Sequence, residues 1–236
     1  MLGTLINVAL VLAGTAIGLA LGRGIPKRLQ DTVMQGLALC VILIGLKGAL
    51  GVDGTVLKPV DTLGVIVCMA VGGLIGSAVN IEDKLDHLGH FFERKLSARK
   101  DNNISRAFVT TSLLYCVGAM AIVGAIDSGI RGDHATLIAK GIIDGITAIF
   151  FASTLGPGVA LSALAVLVYQ GSIALLASLL APVLTDEVIT AMGAVGGLLV
   201  AGVGLNMLRD KHLPVGNLLP AIFLPILYLP IAHLFG

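Results

Sequence analysis

Apolar residues along the chain fall into long runs separated by short polar or charged stretches. A helix needs about 20 mostly apolar residues to cross a bilayer, and several of these runs reach that length. Reading from one polar stretch to the next predicts eight cores: 4–22, 34–51, 62–80, 106–126, 135–154, 158–181, 188–207 and 213–235. The pattern therefore predicts an all-α, polytopic membrane helical bundle of about eight transmembrane helices, forming a single transmembrane domain over residues 1–236.

The composition supports this class of protein. Hydrophobic residues make up 56% of the chain and charged residues 12%, whereas soluble domains carry about 25% charged residues. The net charge of +1 gives a nucleic acid no electrostatic basis for binding, so the partner that we expect is the lipid bilayer. The three cysteines, Cys40, Cys68 and Cys116, lie inside apolar runs, which predicts buried free thiols rather than disulfides.

One connection is long and polar. Between residues 81 and 105, apolar side chains recur at helical spacing among Lys, Arg, Glu and His. This spacing predicts an amphipathic helix at 81–100 that lies on the cytoplasmic surface of the membrane.

The fifth core, 135–154, contains Lys140 and Asp144. Each charge at the middle of a membrane helix costs about 2.5–3.5 kcal/mol on the insertion scale, so the alternative is a re-entrant or broken segment that leaves seven spans. Cytoplasmic loops carry the excess of Lys and Arg, and eight spans with both termini outside give the stronger excess. That topology places these residues in the cytoplasm: Arg23, Lys27, Arg28, Lys84, Arg94, Lys95, Arg99, Lys100, Arg106, Arg209 and Lys211.

A faint internal repeat links residues 25–46 with 182–205. Each segment has a proline, an acidic residue, a valine, a stretch rich in small residues and a closing Gly-Leu. If span 2 corresponds to span 7, the odd offset makes the copies oppositely oriented, which predicts an inverted repeat of spans 1–3 and 6–8. Such repeats are common in secondary transporters. The alternative is that two glycine-rich apolar helices resemble each other by composition alone.

Lys140 and Asp144 are the main candidates for a functional site. They are four residues apart on one helix face, with Thr147 on the same side. Because ionisable residues inside a membrane usually face a cavity or a partner, this pair predicts a site for a substrate, an ion or a proton. The alternative is a structural ion pair near the outer interface, with Lys140 extended to water.

Two further groups of polar residues accompany this pair. The amide residues Gln35, Gln170 and Asn206 are candidates for lining the site or for joining helices, because buried amides need hydrogen-bond partners. A loop cluster, Asp127, Asp133 and His134, is assigned to the outer mouth of the site, or else is simply solvated.

Glycine and proline predict close packing and helix breaks. Small residues recur every fourth position on spans 1 and 3, which suits packing within the chain or in a homodimer: Gly14, Gly18 and Gly22, and Gly64, Cys68, Gly72 and Gly76. The glycine-rich stretch that begins at Tyr115 can break a helix inside the membrane. Span 8 carries Pro214, Pro220, Pro225 and Pro230, which predicts a bent or broken helix.

The chain lacks the phosphate-binding, nucleophile-elbow, zinc-protease and dinucleotide sequence motifs. We therefore expect no enzymatic activity, no cofactor and no metal site.

Several segments together carry a family resemblance: DTVMQGLALCVILIGL, LLYCVGAMAIVGAIDSGIRGDHATLIAKGIIDGITAIFFASTLGPGV, YQGSIALLA and GAVGGLLVAGVGLNMLRDKHLPVGNLLPA. Through them the chain resembles the YdfK/YqgA-type bacterial membrane proteins, a family of unknown function. The resemblance implies a multi-pass protein of the bacterial plasma (inner) membrane. The positions on the family pattern are Cys116, Gly118, Gly124, Gly132, Asp133, Lys140, Asp144, Phe151, Ala152, Gly156, Gln170 and Asn217. The chain departs from the pattern at Ser77, where family members often carry Glu; Glu82 lies shortly downstream.

Two functional hypotheses follow. The first is a transporter or channel for an unknown small solute or ion, with its polar site around Asp144. The alternative is a scaffold or regulatory membrane protein without transport activity, whose partner docks on the basic segment 81–105.

Overall fold

Helices account for nearly all of the chain that the computed structural model describes, which comprises residues 1–22, 26–50, 59–85, 87, 103–209 and 213–235. A 3-10 helix, Val215–Phe223, and the following α-helices make up the fold: α1 Leu2–Gly22, α2 Lys27–Leu50, α3 Pro59–Val79, α4 Asn103–Cys116, α5 Ala119–Ile130, α6 Ala135–Leu155, α7 Val159–Leu175, α8 Ala177–Leu180, α9 Asp186–Leu208 and α10 Pro225–Phe235. The prediction of an all-α membrane bundle is confirmed.

Within the described part of the chain, five helices are long and apolar enough to cross a membrane: α1, most of α2 and α3, α6 and α9. The α4–α5 pair has the composition of a sixth span but bends by 62°. The remaining apolar helices, Val159–Leu175 and Val215–Pro230, are shorter. Length and composition therefore identify five or six spans, fewer than the eight predicted.

The helix break lies in the fourth predicted core rather than in the fifth. The 135–154 segment, which we expected to be the doubtful one, lies within the continuous helix α6. The 106–126 core is interrupted between α4 and α5, where Gly118 has a φ of 147°. Residues other than glycine rarely adopt a φ angle in this range. The helix within the glycine-rich stretch is therefore interrupted at Gly118.

The last core is also interrupted, as its prolines predict. It starts as the 3-10 helix Val215–Phe223 and continues as α10 beyond Leu224. Pro220 lies inside the 3-10 helix and Pro230 inside α10. A 3-10 run of this length is uncommon and often marks a hinge.

Helices α1 and α6 pack side by side in the same direction. We call the end of the bundle where α1 begins the proximal end, and the end where α1 finishes the distal end. A Cβ atom added to Gly3 would meet Leu137, one at Gly14 would meet Gly145, and one at Gly22 would meet Ser153. Both helices therefore begin at the proximal end, and small residues let their backbones approach closely.

The other helices can be orientated from similar contacts. Antiparallel packing joins α2 to α9, where Gly45 meets Gly197 and Gly204 meets Ala38. Antiparallel packing also joins α3 to the last core, where Gly64 meets Tyr228 and Gly76 meets Asn217.

The α4–α5 pair runs parallel to α7. Gly158, just before α7, meets Ile104 near the start of α4, and Gly129 near the end of α5 meets Ala174 near the end of α7. The helices form two groups, one of α1 with α4 to α7 and one of α2 and α3 with α9 and α10. The groups meet where α9 contacts α4 and α5 and where α2 contacts α6. Of the five long spans, α9 is the most deeply buried.

The small-residue faces of spans 1 and 3 are used inside the chain. Gly14 and Gly18 pack against the backbone of α6, and Gly72 and Gly76 pack against the 3-10 helix. These faces are therefore not available for packing between two copies of the chain. The homodimer stays a prediction, and the small-residue faces no longer support it.

The predictions for the cysteines and for the amphipathic helix have different outcomes. Cys68 is buried, but Cys40 is exposed on α2, because α2 turns most of its surface away from the bundle. The amphipathic helix predicted at 81–100 falls mainly outside the described residues; within it, residues 81–85 are helical.

Candidate functional site

Lys140 and Asp144 form an ion pair in the interior of the first group of helices. The Lys140 ammonium donates a hydrogen bond to Asp144 Oδ2, and the two residues are 6% and 5% exposed. The predicted pairing is confirmed. The lysine head does not extend to the outer surface, because its side chain is itself buried. Two buried charges lose their hydration, and that loss offsets much of the attraction between them.

Asn7 extends this pair to two neighbouring helices. Its Nδ2 donates to Asp144 Oδ2 over 3.3 Å and to Gln170 Oε1 over 3.2 Å. Asn7 and Gln170 are both completely buried. We call Asn7, Lys140, Asp144 and Gln170 the polar cluster; it joins α1, α6 and α7.

Two glycines allow Asn7 to reach the carboxylate. A Cβ atom at Gly141 would lie 2.9 Å from the Asn7 Cα, and one at Gly145 would lie 2.9 Å from the Leu10 carbonyl oxygen. Any larger residue at these positions would push α1 away from α6. The glycines on each side of Asp144 therefore position an amide from another helix beside its carboxylate.

The polar cluster retains hydrogen-bonding atoms without partners. The buried Asn7 Oδ1 and Gln170 Nε2 make no hydrogen bond, and neither does the nearby buried Thr4 hydroxyl. Leaving a buried polar atom without a partner costs about 1–3 kcal/mol, so such atoms require an explanation. An acceptor and a donor inside the cluster are therefore available to a ligand or to water.

The break between α4 and α5 lies next to the polar cluster. The side chain of Tyr115, just before the break, is within electrostatic reach of Asp144, and Cys116 is within reach of Lys140. On its other side the break meets α9, where a Cβ atom at Gly196 would lie 2.6 Å from Val117 Cγ1. The interrupted helix, α4–α5, thus lies between the Lys140–Asp144 pair and α9.

Thr147 belongs to the same face of α6 as the pair. Its hydroxyl oxygen lies 3.0 Å from the Ile143 carbonyl oxygen and 2.9 Å from that of Asp144, so its one hydrogen is shared between the two backbone acceptors. The threonine is therefore engaged with its own helix and stabilises the backbone of Asp144.

Gln35 and Asn206 lie away from the polar cluster. Gln35 is exposed on α2. The Asn206 side chain bonds to both backbone groups of Leu213, donating to the carbonyl and accepting from the amide at 2.8 Å. The first residue therefore lines no buried site, and the second fastens the connection after α9. Of the three amides proposed to line the site, only Gln170 lies in the cluster.

The outer-mouth residues lie in the last turn of α5 and in the connection between α5 and α6, at the proximal end. Asp127 pairs with Arg131 over 3.3 Å, and Asp133 accepts a hydrogen bond from the Ala135 amide at the start of α6. His134 Nδ1 lies 2.9 Å from Ser128 Oγ. Each side chain has a local partner, and none of them reaches the polar cluster through a hydrogen bond.

Asn7 is the member of the cluster that the sequence-based site assignment missed. Its signal in the sequence is an amide within an apolar helix, on the face that also carries Gly3, Gly14 and Gly18. That stripe predicts helix packing, and it does not identify α6 as the partner. The pairing of α1 with α6 requires the tertiary structure.

Outside the polar cluster, a shallow and mostly apolar crevice lies between α3, α9 and α10, lined in part by Cys68, Val195 and Tyr228. Among the described residues, no group of three or more His, Cys, Asp or Glu is placed to hold a metal ion.

At the distal end, Glu82 joins the segment after α3 to the start of the 3-10 helix. The Gly216 amide donates to Glu82 Oε2, and the Glu82 amide donates to Asn217 Oδ1 over 2.8 Å. We call this reciprocal contact the distal clasp.

Comparison with known proteins places the chain among uncharacterised membrane proteins. It is 32% identical over 239 residues to the "Uncharacterized membrane protein YdfK" of Bacillus subtilis (strain 168), covering 100% of this chain and 99% of the relative. It is 29% identical over 227 residues to the "Uncharacterized protein YqgA" of Escherichia coli (strain K12), covering 94% of each. No solved structure matches the chain. Residues 2–229 match the family described as "Protein of unknown function (DUF554)", and the chain therefore belongs to that family.

Proposed function

We propose that the protein is a transporter or channel of the plasma membrane that moves a small solute or an ion past Asp144. The observation that carries the proposal is the polar cluster, in which a buried ion pair is joined to two buried amides with unpartnered atoms. The proposal assigns the protein no chemical reaction and no cofactor.

Physical chemistry favours a transport role for this cluster. Charged side chains inside a membrane are costly, and they commonly mark ion or substrate pathways. Irregular backbone is tolerated at membrane depth only where protein or a water-filled cavity satisfies its polar groups. The α4–α5 break lies close to Lys140 and Asp144, and discontinuous helices are common at transporter binding sites.

The helix directions support eight membrane crossings as part of the proposal. Helices α1 and α6 point the same way from the same end, so an odd number of crossings separates them. Helices α2 and α3 account for two, and the bent α4–α5 pair supplies the third. The parallel course of α4–α5 and α7, and the antiparallel partners of α9 and the last core, agree with this count.

Charge supports the orientation of these eight crossings. Among the basic residues at the ends of the described helices, four belong to the distal end under this topology, Arg28, Lys84, Arg106 and Arg209, and two to the proximal end, Lys47 and Arg131. The Arg106 side chain donates to the Asn206 carbonyl over 3.4 Å, which joins the start of α4 to the end of α9. By the excess of Lys and Arg, the distal end is cytoplasmic and both termini are outside.

The proposal includes the inverted repeat, with which the α2–α9 contact is compatible. Aligning the closing Gly-Leu of the two segments pairs Gly45 with Gly204 and Ala38 with Gly197. A Cβ atom at Gly204 would meet the Ala38 oxygen, and one at Gly45 would meet the Gly197 oxygen. Residues matched by the alignment thus exchange equivalent contacts, as the residues of any antiparallel helix pair do, and this agrees with a two-fold axis between the copies.

The topology can be tested with one cysteine. In a variant with Cys40, Cys68 and Cys116 replaced, we expect Thr185→Cys to react with a membrane-impermeant thiol reagent on intact cells, because the turn before α9 lies at the proximal end. Labelling only after lysis would place that turn inside and contradict eight crossings with external termini.

Transport is tested with the purified protein in liposomes. Uptake of labelled ions and small solutes would be compared for the wild type, Asp144→Asn and the matched control Asp186→Asn, which changes an exposed carboxylate in the first turn of α9. We expect uptake of at least one solute by the wild type and the control, and its loss in Asp144→Asn. Uptake that is unchanged in Asp144→Asn would contradict a role for this site.

The scaffold hypothesis differs in the residues on which it depends. Its docking segment, 81–105, lies mainly outside the described residues, so the structure adds no support for it. A scaffold should tolerate Asp144→Asn and lose partner binding when the charges between 84 and 100 are reversed, whereas a transporter should show the opposite sensitivity.

A further inference from the structure

We propose that Asp144 binds a monovalent cation and that Lys140 is its internal competitor, which occupies the carboxylate when no cation is bound. The inference rests on the proposed function, since it names the class of ligand that the polar cluster takes. It begins from the pairing of one buried carboxylate with one tethered ammonium group.

The single carboxylate of the polar cluster is neutralised by one positive charge at a time. Asp144 and Lys140 neutralise each other, and both side chains are more than nine-tenths buried. A monovalent cation that takes the place of the ammonium keeps the carboxylate neutralised. A divalent ion would need additional carboxylates, and the described part of the chain brings no three or more His, Cys, Asp or Glu residues together as ligands.

The hydrogen-bond pattern leaves oxygen atoms for the cation. Lys140 and Asn7 both donate to the same carboxylate oxygen, Asp144 Oδ2, so these two hydrogen bonds do not use Asp144 Oδ1. Asn7 Nδ2 lies between two acceptor oxygens, which fixes the orientation of its amide and turns Oδ1 to a place where it has no partner. Because both amide atoms share one carbon, this oxygen lies within a few ångströms of the carboxylate. Carboxylate and amide oxygens are suitable ligands for a hard cation.

The helix break provides a second position for the ammonium group. Helix α4 ends at Cys116, which is within electrostatic reach of Lys140. The carbonyls of a C-terminal turn carry partial negative charge and attract cations, and the lysine stem is flexible. When a cation occupies Asp144, Lys140 can therefore turn toward the last carbonyls of α4. Binding of the cation would in this way change the contacts at the break.

The experiment measures the thermal unfolding midpoint of purified protein in detergent. At constant pH and ionic strength, N-methylglucamine chloride is replaced stepwise by lithium, sodium or potassium chloride; in a separate series without alkali cations, the pH is lowered. The variants are Lys140→Met, Asp144→Asn and the control Lys47→Met, which removes an exposed lysine of α2. A ligand that binds only the folded state raises the midpoint by mass action.

We expect Lys140→Met to be stabilised by a cation at a concentration about tenfold lower than the wild type needs, a coupling of ordinary size for two competing ligands. Asp144→Asn should show no specific response, and Lys47→Met should behave like the wild type. Stabilisation by an alkali cation at constant pH identifies a metal cation, whereas stabilisation only by acidification identifies a proton. If Lys140→Met responds to both series no more strongly than Asp144→Asn, the inference is wrong.

A second variant covers the case in which Lys140→Met does not fold. Asn7→Leu keeps the ion pair and removes one proposed ligand oxygen, so it should need a higher cation concentration than the wild type; an unchanged response would overturn the inference.

The proteoliposome measurement separates this inference from the proposed function. Cation-dependent stability together with uptake that is unaffected in Asp144→Asn would retain the site and reject transport through it. Uptake that depends on Asp144, without any cation or pH response of Lys140→Met, would retain transport and reject the competition.

Discussion

Replacing Gly14 with alanine should separate α1 from α6 and disrupt the polar cluster. The new Cβ atom would lie 2.0 Å from the backbone oxygen of Gly145, which cannot rotate away as a side chain could. Ordinary contact begins at 3.4 Å, so the two helices must move apart by the difference, about 1.4 Å. Asn7 lies two helical turns away on the same face, and its 3.3 Å hydrogen bond to Asp144 would be lost.

The cost can be estimated from these two effects. Overpacking a close contact typically costs about 1–3 kcal/mol, and the loss of a buried hydrogen bond adds about 1 kcal/mol. Alanine favours a helix over glycine by up to about 1 kcal/mol, and this gain is shared by any Gly→Ala change in a helix. The matched control is Gly36→Ala on α2, because a Cβ atom at Gly36 would meet no atom within 4 Å. We therefore expect Gly14→Ala to be less stable than Gly36→Ala by about 2–4 kcal/mol.

Unfolding would be followed by circular dichroism as a denaturing detergent is added to the purified protein in a mild one. A lower midpoint for Gly14→Ala than for Gly36→Ala would agree with the parallel α1–α6 contact. Equal midpoints for the two variants would refute the close approach at Gly14, and with it the route by which Asn7 reaches Asp144.

Three further predictions follow from the contacts of individual residues. Asn7→Leu should lower stability by about 1–3 kcal/mol, since it removes the buried partner of Gln170, whereas Gln35→Leu, at an exposed amide, should change it by less than about 0.5 kcal/mol; equal effects in an unfolding titration would contradict the difference in burial. Asn217→Ala should break half of the distal clasp at a cost of about 1 kcal/mol, and hydrogen exchange should speed up at the Glu82 amide while the Val188 amide in α9 stays unchanged; an unaltered rate at Glu82 would argue against the clasp. A lipid-soluble maleimide should label the exposed Cys40 and spare the buried Cys68 in the native protein, as mass spectrometry of the labelled peptides would show, and preferential labelling of Cys68 would be inconsistent with this orientation of α2 and α3.

The polar cluster shows how sequence and structure divide the information about a site. The spacing of Lys140 and Asp144 on one helix predicts their ion pair, because residues four apart share a helix face. The partners from other helices could not be predicted in the same way. Gln35, Gln170 and Asn206 have the same kind of side chain inside apolar runs, yet only Gln170 lies beside the pair, while Asn206 binds the backbone of Leu213.

The sequence by itself determined the class of protein and the approximate position of its helices. Apolar runs of spanning length follow from the thickness of the bilayer, and the prolines of the last core predicted its interruption, because proline lacks the amide hydrogen that a helix needs. These properties are local to each segment, so they can be read without knowing its neighbours.

Only the tertiary structure decided which helices meet and which breaks occur. Glycines are dense on both sides of the α5–α6 connection, but the helix is interrupted at Gly118. Gly141 and Gly145 lie inside the continuous helix α6, where they allow α1 to pack closely. The small-residue stripes of spans 1 and 3 predicted close packing but not its partners, because a flat helix face accepts any complementary surface. The neighbour of each face, and hence the meeting of Asn7 with Asp144, depends on how all of the helices pack together.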